Sequence, residues 1–190
     1  MTRSDATFRH VIAAILLLFA PACASDFTAE VVAAHDGDTL TVLYQDQKRR
    51  IRLNAVDCPE KAQGFGAEAR AFTAQHVLGQ RVTIHVNDFD RYGRIVGKVI
   101  LPDGRSLNDE LVKAGYAWWY RQYAPGEHEL MRLERAAREA HRGLWSDMLP
   151  TPPWQWRKEK REHPAGHSTR SERSVRSQAR SERRSLRARS

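Results

Sequence analysis

Short segments in which apolar and polar residues alternate dominate the first half of the chain. Alternation with a period of two is typical of strands that bury one face. In the segment RIRLNAV, for example, Ile51, Leu53 and Ala55 fall on one face. The pattern predicts one strand that begins at Val31-Val32 and four further strands: Thr39–Tyr44, Arg50–Val56, Arg81–Val86 and Arg94–Leu101.

Three other segments have the residue spacing of helices. Ala67–Leu78 is rich in alanine, and Ser106 and Asp109 are placed to cap a short helix over Leu107–Ala114. In the third segment, Glu127–Arg142, apolar residues recur at helical spacing and form one stripe. The stripe consists of Leu130, Leu133, Ala137, Ala140 and Leu144.

The order of the predicted elements is three strands, a helix, two strands and two helices. Several short strands with few helices between them argue against a parallel sheet of βαβ units. A small antiparallel barrel with helices around it agrees better with this order. We therefore predict an α+β protein, a five-stranded OB-fold barrel with about three helices packed around it, over residues 25–149.

The N-terminal segment has the order of a secretory signal. Arginines precede an unbroken apolar run at Val11–Ala20, and Ala22-Cys23-Ala24 has the form of a cleavage site. Because this run is too short for about 30 Å of hydrocarbon, no stable membrane span is expected. We expect residues 1–24 to be a signal peptide and the protein to be exported, either periplasmic or secreted. A lipoprotein modified at Cys23 and an uncleaved anchor are the alternatives.

The net charge of +8 is concentrated at the C-terminus. Twelve of the 31 Lys and Arg residues lie in residues 157–190 together with four Glu, whereas residues 25–156 hold 17 basic and 18 acidic residues. Any argument from basic charge to nucleic-acid binding therefore concerns the C-terminal segment and not the body of the protein.

The segment 150–190 changes composition along its length. Pro150, Pro152 and Pro153 are expected to break regular structure, and Trp154 and Trp156 are placed to pack back on the domain. From Ser168 onward the chain is rich in Arg and Ser, with little to bury. We predict a Pro/Trp linker followed by a disordered basic tail. The tail either adds contacts to nucleic acid or an anionic surface, or is a solubilising extension.

Three polar clusters carry the candidate chemistry: Asp36–Thr39, Arg52–Glu60 and Asp90–Arg94. Alone, each has an ordinary explanation as a turn, a solvated strand face or a hairpin tip. Together they resemble the staphylococcal nuclease (thermonuclease) family. Its first signature, Asp-Gly-Asp-Thr followed by Arg-x-x-x-aliphatic-Asp-x-Pro-Glu, is met in full, and its second, Asp-Arg-Tyr-Gly-Arg-x-aliphatic-Gly, begins at Asp90. The resemblance covers about residues 31–145 and implies an OB-fold barrel and a calcium-dependent phosphodiesterase.

Two aspartates are candidate metal ligands. Ca²⁺ prefers carboxylate and carbonyl oxygens. Asp38 begins one predicted strand and Asp57 ends the next, so a hairpin can bring them together. The resemblance implies these two aspartates and the backbone carbonyl of Cys58 as ligands. We expect Asp36 to lie outside the ligand set and to orient water or a ligand.

Arg52, Glu60 and Arg94 are the candidate catalytic residues. The resemblance implies that Glu60 is the general base or orients the attacking water. Arg52 and Arg94 can form bidentate contacts to phosphate oxygens. Because an arginine holds its proton up to a pKa above about 12, charge stabilisation is favoured over proton donation.

Arg91, Tyr92 and Tyr123 are candidate substrate contacts, since flat rings stack on any base with little sequence preference. For Tyr123 the alternative is an aromatic cluster that fills the core together with the aromatic residues at 118–120.

We therefore expect an exported, Ca²⁺-dependent nuclease that hydrolyses DNA and RNA with little sequence specificity and acts as a monomer. The resemblance implies products with 5′-hydroxyl and 3′-phosphate ends. The alternative is a noncatalytic OB-fold module that binds nucleic acid. That alternative requires a broken site, whereas the site is intact in this sequence.

Overall fold

The structure, a computed structural model, describes residues 26–163. The predicted signal peptide with Cys23 and the Arg/Ser-rich tail lie outside these residues. The elements of the described part are β1 (Phe27–Ala34), β2 (Thr39–Tyr44), β3 (Gln47–Leu53), β4 (Val56–Asp57), α1 (Gly66–Val77), β5 (Arg81–Phe89), β6 (Ile95–Ile100), α2 (Leu107–Lys113), β7 (Trp118–Trp119), α3 (His128–Glu139), a 3₁₀ turn (Gly143–Ser146) and α4 (Pro153–Glu162).

Five strands close into a barrel in the order β1-β2-β3-β6-β5, and β5 pairs with β1. This confirms the predicted five-stranded OB-fold barrel. The expectation that the barrel is antiparallel is wrong at one seam, because β3 and β6 run parallel with Ile51 beside Ile95. Strand direction cannot alternate around a ring with an odd number of strands, so closure requires at least one parallel pair.

The β2–β3 hairpin sets the register that the site depends on. Gln45 and Asp46 have φ values of 50° and 59°, as the two central residues of a type I′ turn require. Tyr44 consequently pairs with Gln47 across a two-residue connection. The strand β3 therefore begins at Gln47, three residues before the predicted start at Arg50, and the connection is correspondingly shorter.

This register separates core residues from site residues along β3. Ile51 and Leu53 are buried in the core, as their alternation predicts. Arg52 lies between them, so its side chain leaves the strand on the opposite face. There it pairs across the hairpin with Thr39, the residue that follows Asp38. The hairpin therefore places an arginine beside an aspartate at one end of the barrel.

Helices α1 to α3 pack around the barrel close to their predicted positions. The backbone N–H of Asp109 donates to Ser106 Oγ at 3.2 Å, which confirms the predicted cap of α2. Helix α3 ends at Glu139, earlier than predicted, so Ala140 is exposed and Leu144 is buried from the following 3₁₀ turn. Among the helices of residues 26–163, none combines the length and hydrophobicity needed to cross a membrane.

The predicted linker after residue 149 is wrong for its first part, because residues 153–162 form the helix α4. Pro153 is the first residue of this helix, where its missing N–H has no partner to lose. The Trp154 ring stacks on Tyr120 with centroids 5.3 Å apart, and it meets Trp118 edge-on at 5.6 Å. The described part therefore has four α-helices rather than about three, and the expected packing of Trp154 on the domain is confirmed.

A second, two-stranded sheet joins the first signature to the aromatic segment. Asp57 of β4 pairs with Trp118 of β7, and Trp118 is itself buried against Trp145, edge to face, at 4.3 Å. This packing fixes the backbone of Asp57 at the same end of the barrel as Asp38.

Candidate active site

An open cleft of about 790 Å³ lies at this end of the barrel. It is bounded by the start of β2, by β4 and the segment after it, by the β5–β6 hairpin and by α4. The cleft brings together all ten residues predicted from the sequence: Asp36, Asp38, Arg52, Asp57, Cys58, Glu60, Arg91, Tyr92, Arg94 and Tyr123.

Arg52 bridges the two buried aspartates. Its Nη1 lies 3.0 Å from Asp38 Oδ2, and its Nη2 lies 2.8 Å from Asp57 Oδ1. Nη1 also donates to the backbone carbonyls of Leu53 and Val56, at 3.2 and 3.0 Å. The planar guanidinium thus holds both carboxylates in fixed positions, which the point charge of a lysine could not do.

Close packing beneath the carboxylates explains Gly37 between the two aspartates of the Asp-Gly-Asp turn. A Cβ at Gly37 would lie 2.6 Å from the Sγ of Cys58 and 2.9 Å from the Cβ of Ala69, closer than van der Waals contact allows. The N–H of Cys58 donates to Asp38 Oδ2 at 2.7 Å, and the N–H of Asp38 donates to Asp36 Oδ1 at 3.1 Å. The Cys58 thiol is buried, and burial raises its pKa well above the usual value. Any role of Cys58 as a ligand therefore falls to its backbone carbonyl.

Asp38 lacks enough positive charge around it. Burial raises its pKa from 3.8 to about 7, and the negative charges of Asp36 and Asp57 add to this rise. The charge of Arg52 and the hydrogen bond from Cys58 oppose it without cancelling it. A cation bound beside Asp38 would favour the ionised carboxylate, so the site has the electrostatics of a cation site.

The remaining lone pairs also leave room for a cation. A carboxylate offers about four lone-pair positions. Asp38 accepts from Thr39, Cys58 and Arg52, and Asp57 accepts three hydrogen bonds from two guanidinium groups. Within residues 26–163, no three His, Cys, Asp or Glu side chains form a ready-made ligand cluster. Ca²⁺ fits this oxygen-rich set, with the two aspartates, a backbone carbonyl and water as ligands.

Arg94 is held at the tip of the β5–β6 hairpin by Asp90. Its Nε donates to Asp90 Oδ2 at 2.6 Å, while the other carboxylate oxygen accepts from the N–H groups of Tyr92 and Arg94. The guanidinium groups of Arg91 and Arg94 lie 4.9 and 5.6 Å from the centroid of the Tyr92 ring. This arrangement presents Arg94 and the 69% exposed Tyr92 to the cleft.

Tyr123 lines the cleft and does not fill the core. Its side chain is 72% exposed and contacts the ring of Tyr120 at 4.7 Å. The aromatic core of this region is formed instead by Trp118 and Trp145. The alternative of Tyr123 as a core residue is therefore wrong, and its ring is exposed to the cleft.

Arg157 of α4 is a site residue that the sequence analysis missed. Its Nη2 lies 2.8 Å from Asp57 Oδ2, and its Nη1 lies 3.2 Å from Asp57 Oδ1 and 2.7 Å from Glu60 Oε1. Burial lowers its pKa, but the hydrogen bonds and charges of Asp57 and Glu60 outweigh burial and raise it above its usual value. The one available signal was the Trp pair before it, because Trp154 docks the helix that carries Arg157.

This OB-fold barrel gathers buried aspartates and several arginines in one cleft at its end, side chains of the kinds that can ligate a cation and contact a phosphate. The model of the family described as staphylococcal nuclease homologue matches residues 50–147. The chain belongs to the staphylococcal nuclease family, which confirms the resemblance seen in its motifs.

Several known proteins are similar over most of the chain. A protein from Escherichia coli named as an uncharacterized endonuclease is 42% identical over 153 residues, which cover 80% of this chain and 99% of that protein. A micrococcal nuclease from Shigella flexneri is 38% identical, covering 83% of this chain and 96% of its own. A probable staphylococcal-like nuclease from Oryza sativa subsp. japonica is 39% identical, covering 60% of this chain and 34% of its own.

Proposed function

We propose that this protein is an exported, calcium-dependent nuclease that hydrolyses phosphodiester bonds of DNA and RNA with little sequence specificity. Family membership and similarity to proteins named endonuclease and micrococcal nuclease support hydrolysis of nucleic acids. The observation that carries the proposal is the cleft in which Arg52 bridges Asp38 and Asp57, with Glu60 and Arg94 on its walls.

The side chains divide the work of phosphodiester hydrolysis. Asp38, Asp57 and the carbonyl of Cys58 would hold Ca²⁺, and Asp36 fixes the turn that presents Asp38. Bound Ca²⁺ supplies positive charge against the phosphate oxygens. Glu60, at the mouth of the cleft, accepts a proton from water or orients that water toward phosphorus.

The two arginines act on the phosphate. Arg52 and Arg94 offer paired N–H donors to the oxygens on which charge grows as the attacking water approaches. Departure of the 5′ oxygen would give 5′-hydroxyl and 3′-phosphate ends. Tyr92 and Tyr123 provide exposed rings for the bases and Arg91 a charge for a neighbouring phosphate, which accounts for low sequence specificity.

The segment before the described residues supports the proposal of export. Residues 1–24 have the charge, apolar run and Ala-x-Ala order of a signal peptide. The full chain is expressed in a host that exports it, and the exported protein is analysed by mass spectrometry. We expect a mature N-terminus at Ser25. A diacylated Cys23 would instead identify a lipoprotein.

Digestion of defined substrates tests the enzymatic proposal. Single-stranded DNA, double-stranded DNA and RNA are each incubated with the mature chain, in calcium or in chelator, and the product ends are identified by mass spectrometry. We expect cleavage of all three in calcium, loss of cleavage in chelator, and 5′-hydroxyl ends. Retention of DNA on a filter without cleavage would favour the noncatalytic binding module.

A further inference from the structure

Three consecutive cations lie exposed at the start of β3, and we name Lys48, Arg49 and Arg50 the β3 basic strip. In the described part of the chain, none of the three has a carboxylate within ion-pair distance. The hydrogen bond of Arg49 goes to the neutral side chain of Gln47, at 2.6 Å.

Several other surface cations of the described domain are paired with acidic side chains. Lys98 pairs with Asp109, Arg105 with Asp103 and Glu110, and Arg132 with Glu129. Residues 25–156 hold 17 basic and 18 acidic residues, so the body of the protein has no general excess of positive charge. The strip is therefore a local concentration of uncompensated charge, which attracts a polyanion.

The strip opens onto the active-site cleft. It forms one wall of a groove of about 400 Å³, whose other lining residues are Tyr92, Gly93 and Arg94. Tyr92 and Arg94 also line the cleft described above. A strand bound in the cleft can therefore continue past Arg94 into the groove without leaving positively charged surface.

We propose that this groove is a subsite for the sugar-phosphate backbone of a nucleic-acid strand on one side of the scissile bond, an inference that rests on the proposed nuclease function. Lys48, Arg49 and Arg50 contact phosphates there, and the exposed ring of Tyr92 stacks on the base at the junction of groove and cleft. The strip contacts only the backbone, so it raises affinity for long strands without selecting their sequence.

The test compares long and short substrates. The triple variant Lys48→Gln/Arg49→Gln/Arg50→Gln is assayed on a single strand of about 12 nucleotides and on the p-nitrophenyl ester of a single nucleotide. We expect KM for the long strand to rise about tenfold or more, with kcat/KM for the small ester within about twofold of wild type. A matched variant, Arg105→Gln/Arg132→Gln/Arg135→Gln, loses the same charge at residues that line neither the groove nor the cleft and should change neither quantity.

Salt dependence gives a second measurement that does not need catalysis. Binding of the same strand is measured in chelator over a range of salt concentrations. The plot of the logarithm of the binding constant against the logarithm of salt concentration should have a slope shallower by about 2, because each phosphate contact on a single strand contributes about 0.7 to that slope. An unchanged slope would overturn the subsite proposal. Equal losses of kcat/KM on the long strand and on the small ester would also overturn it. If the wild type cleaves neither substrate, the nuclease proposal fails. The change in slope alone then decides whether the groove binds a nucleic-acid strand.

A different observation supports a role for α4. The Nη1 of Arg157 joins Glu60 Oε1 to Asp57 Oδ1, at 2.7 and 3.2 Å. The Glu60 side chain is 40% exposed, so without this contact it could sample many rotamers at the mouth of the cleft.

Helix α4 is anchored where it can hold that contact. The ring of Trp154 stacks on Tyr120 one helical turn before Arg157. The side-chain amide of Gln63, from the segment after Glu60, donates to the carbonyl of Thr151 at 2.5 Å. The start of α4 is thus fixed both to the aromatic segment and to the segment that carries Glu60.

We infer that Arg157 is a positioning residue that fixes the Glu60 carboxylate beside Asp57, which again rests on the proposed nuclease function. It acts through Glu60, the candidate catalytic residue that its guanidinium contacts. Helix α4 therefore belongs to the active site and not to the linker predicted from the sequence.

A double-mutant cycle on the small ester tests this role. Arg157→Met should lower kcat about tenfold to a hundredfold with KM within about twofold, and Arg157→Lys should recover part of the loss. In a Glu60→Gln background, Arg157→Met should lower kcat little further, because the group it positions is gone. Lys158→Met, at an exposed position of α4 that does not line the cleft, is the matched control and should leave kcat unchanged.

Calcium affinity measured by calorimetry separates the alternatives. Because Arg157→Met removes a positive charge beside Asp57, we expect calcium to bind more tightly while kcat in saturating calcium still falls. If the losses of kcat caused by Arg157→Met and Glu60→Gln were fully additive, the role of Arg157 would be merely structural. Tighter calcium binding with faster cleavage would make Arg157 a competitor of the ion. Either result would overturn the positioning role.

Discussion

The substitution Arg52→Met removes the guanidinium that bridges two buried carboxylates while keeping most of the apolar stem. Asp57 is 1% exposed and Asp38 is 6% exposed, so neither can turn to water when Arg52 is lost. Breaking a buried ion pair by removing one partner costs about 3–5 kcal/mol. Because Asp57 keeps Arg157 as a partner, we expect the lower end, about 3 kcal/mol in calcium-free solution.

The assay is urea unfolding followed by tryptophan fluorescence, in chelator and in calcium. In a thermal melt, 3 kcal/mol corresponds to a decrease in Tm of about 6–12 °C for a domain of this size. Calcium should stabilise Arg52→Met more than wild type, because the ion replaces part of the missing charge. Arg135→Met, at a position 73% exposed, is the control and should change stability by less than about 0.5 kcal/mol. If Arg52→Met unfolds at the same urea concentration as this control, the bridged carboxylate pair does not exist as described.

Three further predictions concern the same end of the molecule. Because the pKa of Asp38 is raised to about 7 in the folded state, its contribution to stability is lost as pH rises from about 4 through 7. In chelator, Asp38→Asn should therefore have a higher urea midpoint than wild type at about pH 8, and the difference should narrow as pH falls toward about 4. Gly37→Ala should lower the free energy of unfolding by about 1–3 kcal/mol, since its Cβ meets Cys58, whereas Gly126→Ala, with open space around it, should change it little. Trp154→Ala should speed tryptic cleavage within α4 while the barrel stays resistant, and equal cleavage in both proteins would refute the anchoring role.

Sequence reasoning located the barrel and the site because their signals are local. Ile51 and Leu53 alternate with polar neighbours, and the observed burial follows that pattern. The two signatures place Asp38, Asp57 and Arg94 at strand ends, and the ends of adjacent strands in a small barrel lie close together. Local pattern was therefore enough to assemble the predicted residues in one cleft.

Two of the wrong or missed predictions concern contacts between distant parts of the chain, and a third concerns a proline. The parallel pairing of β3 with β6 joins Ile51 to Ile95, and alternation within each strand carries no information about direction. Pro153 reads as a breaker in isolation, yet at the first position of a helix it is compatible with helix formation. Arg157 reaches Asp57 across 100 positions, and one more arginine in a basic segment gives no local sign of that contact.

The rate of cleavage by Glu60→Gln tests the central claim most directly. Wild type, Glu60→Gln and the matched control Glu68→Gln, exposed on α1, are compared on one single-stranded oligonucleotide in saturating calcium, with folding checked by urea midpoint. The account predicts that Glu60→Gln cleaves about 10²–10⁴-fold more slowly, while Glu68→Gln and wild type cleave alike. Cleavage by Glu60→Gln at the wild-type rate, or no cleavage by wild type in calcium, would contradict it.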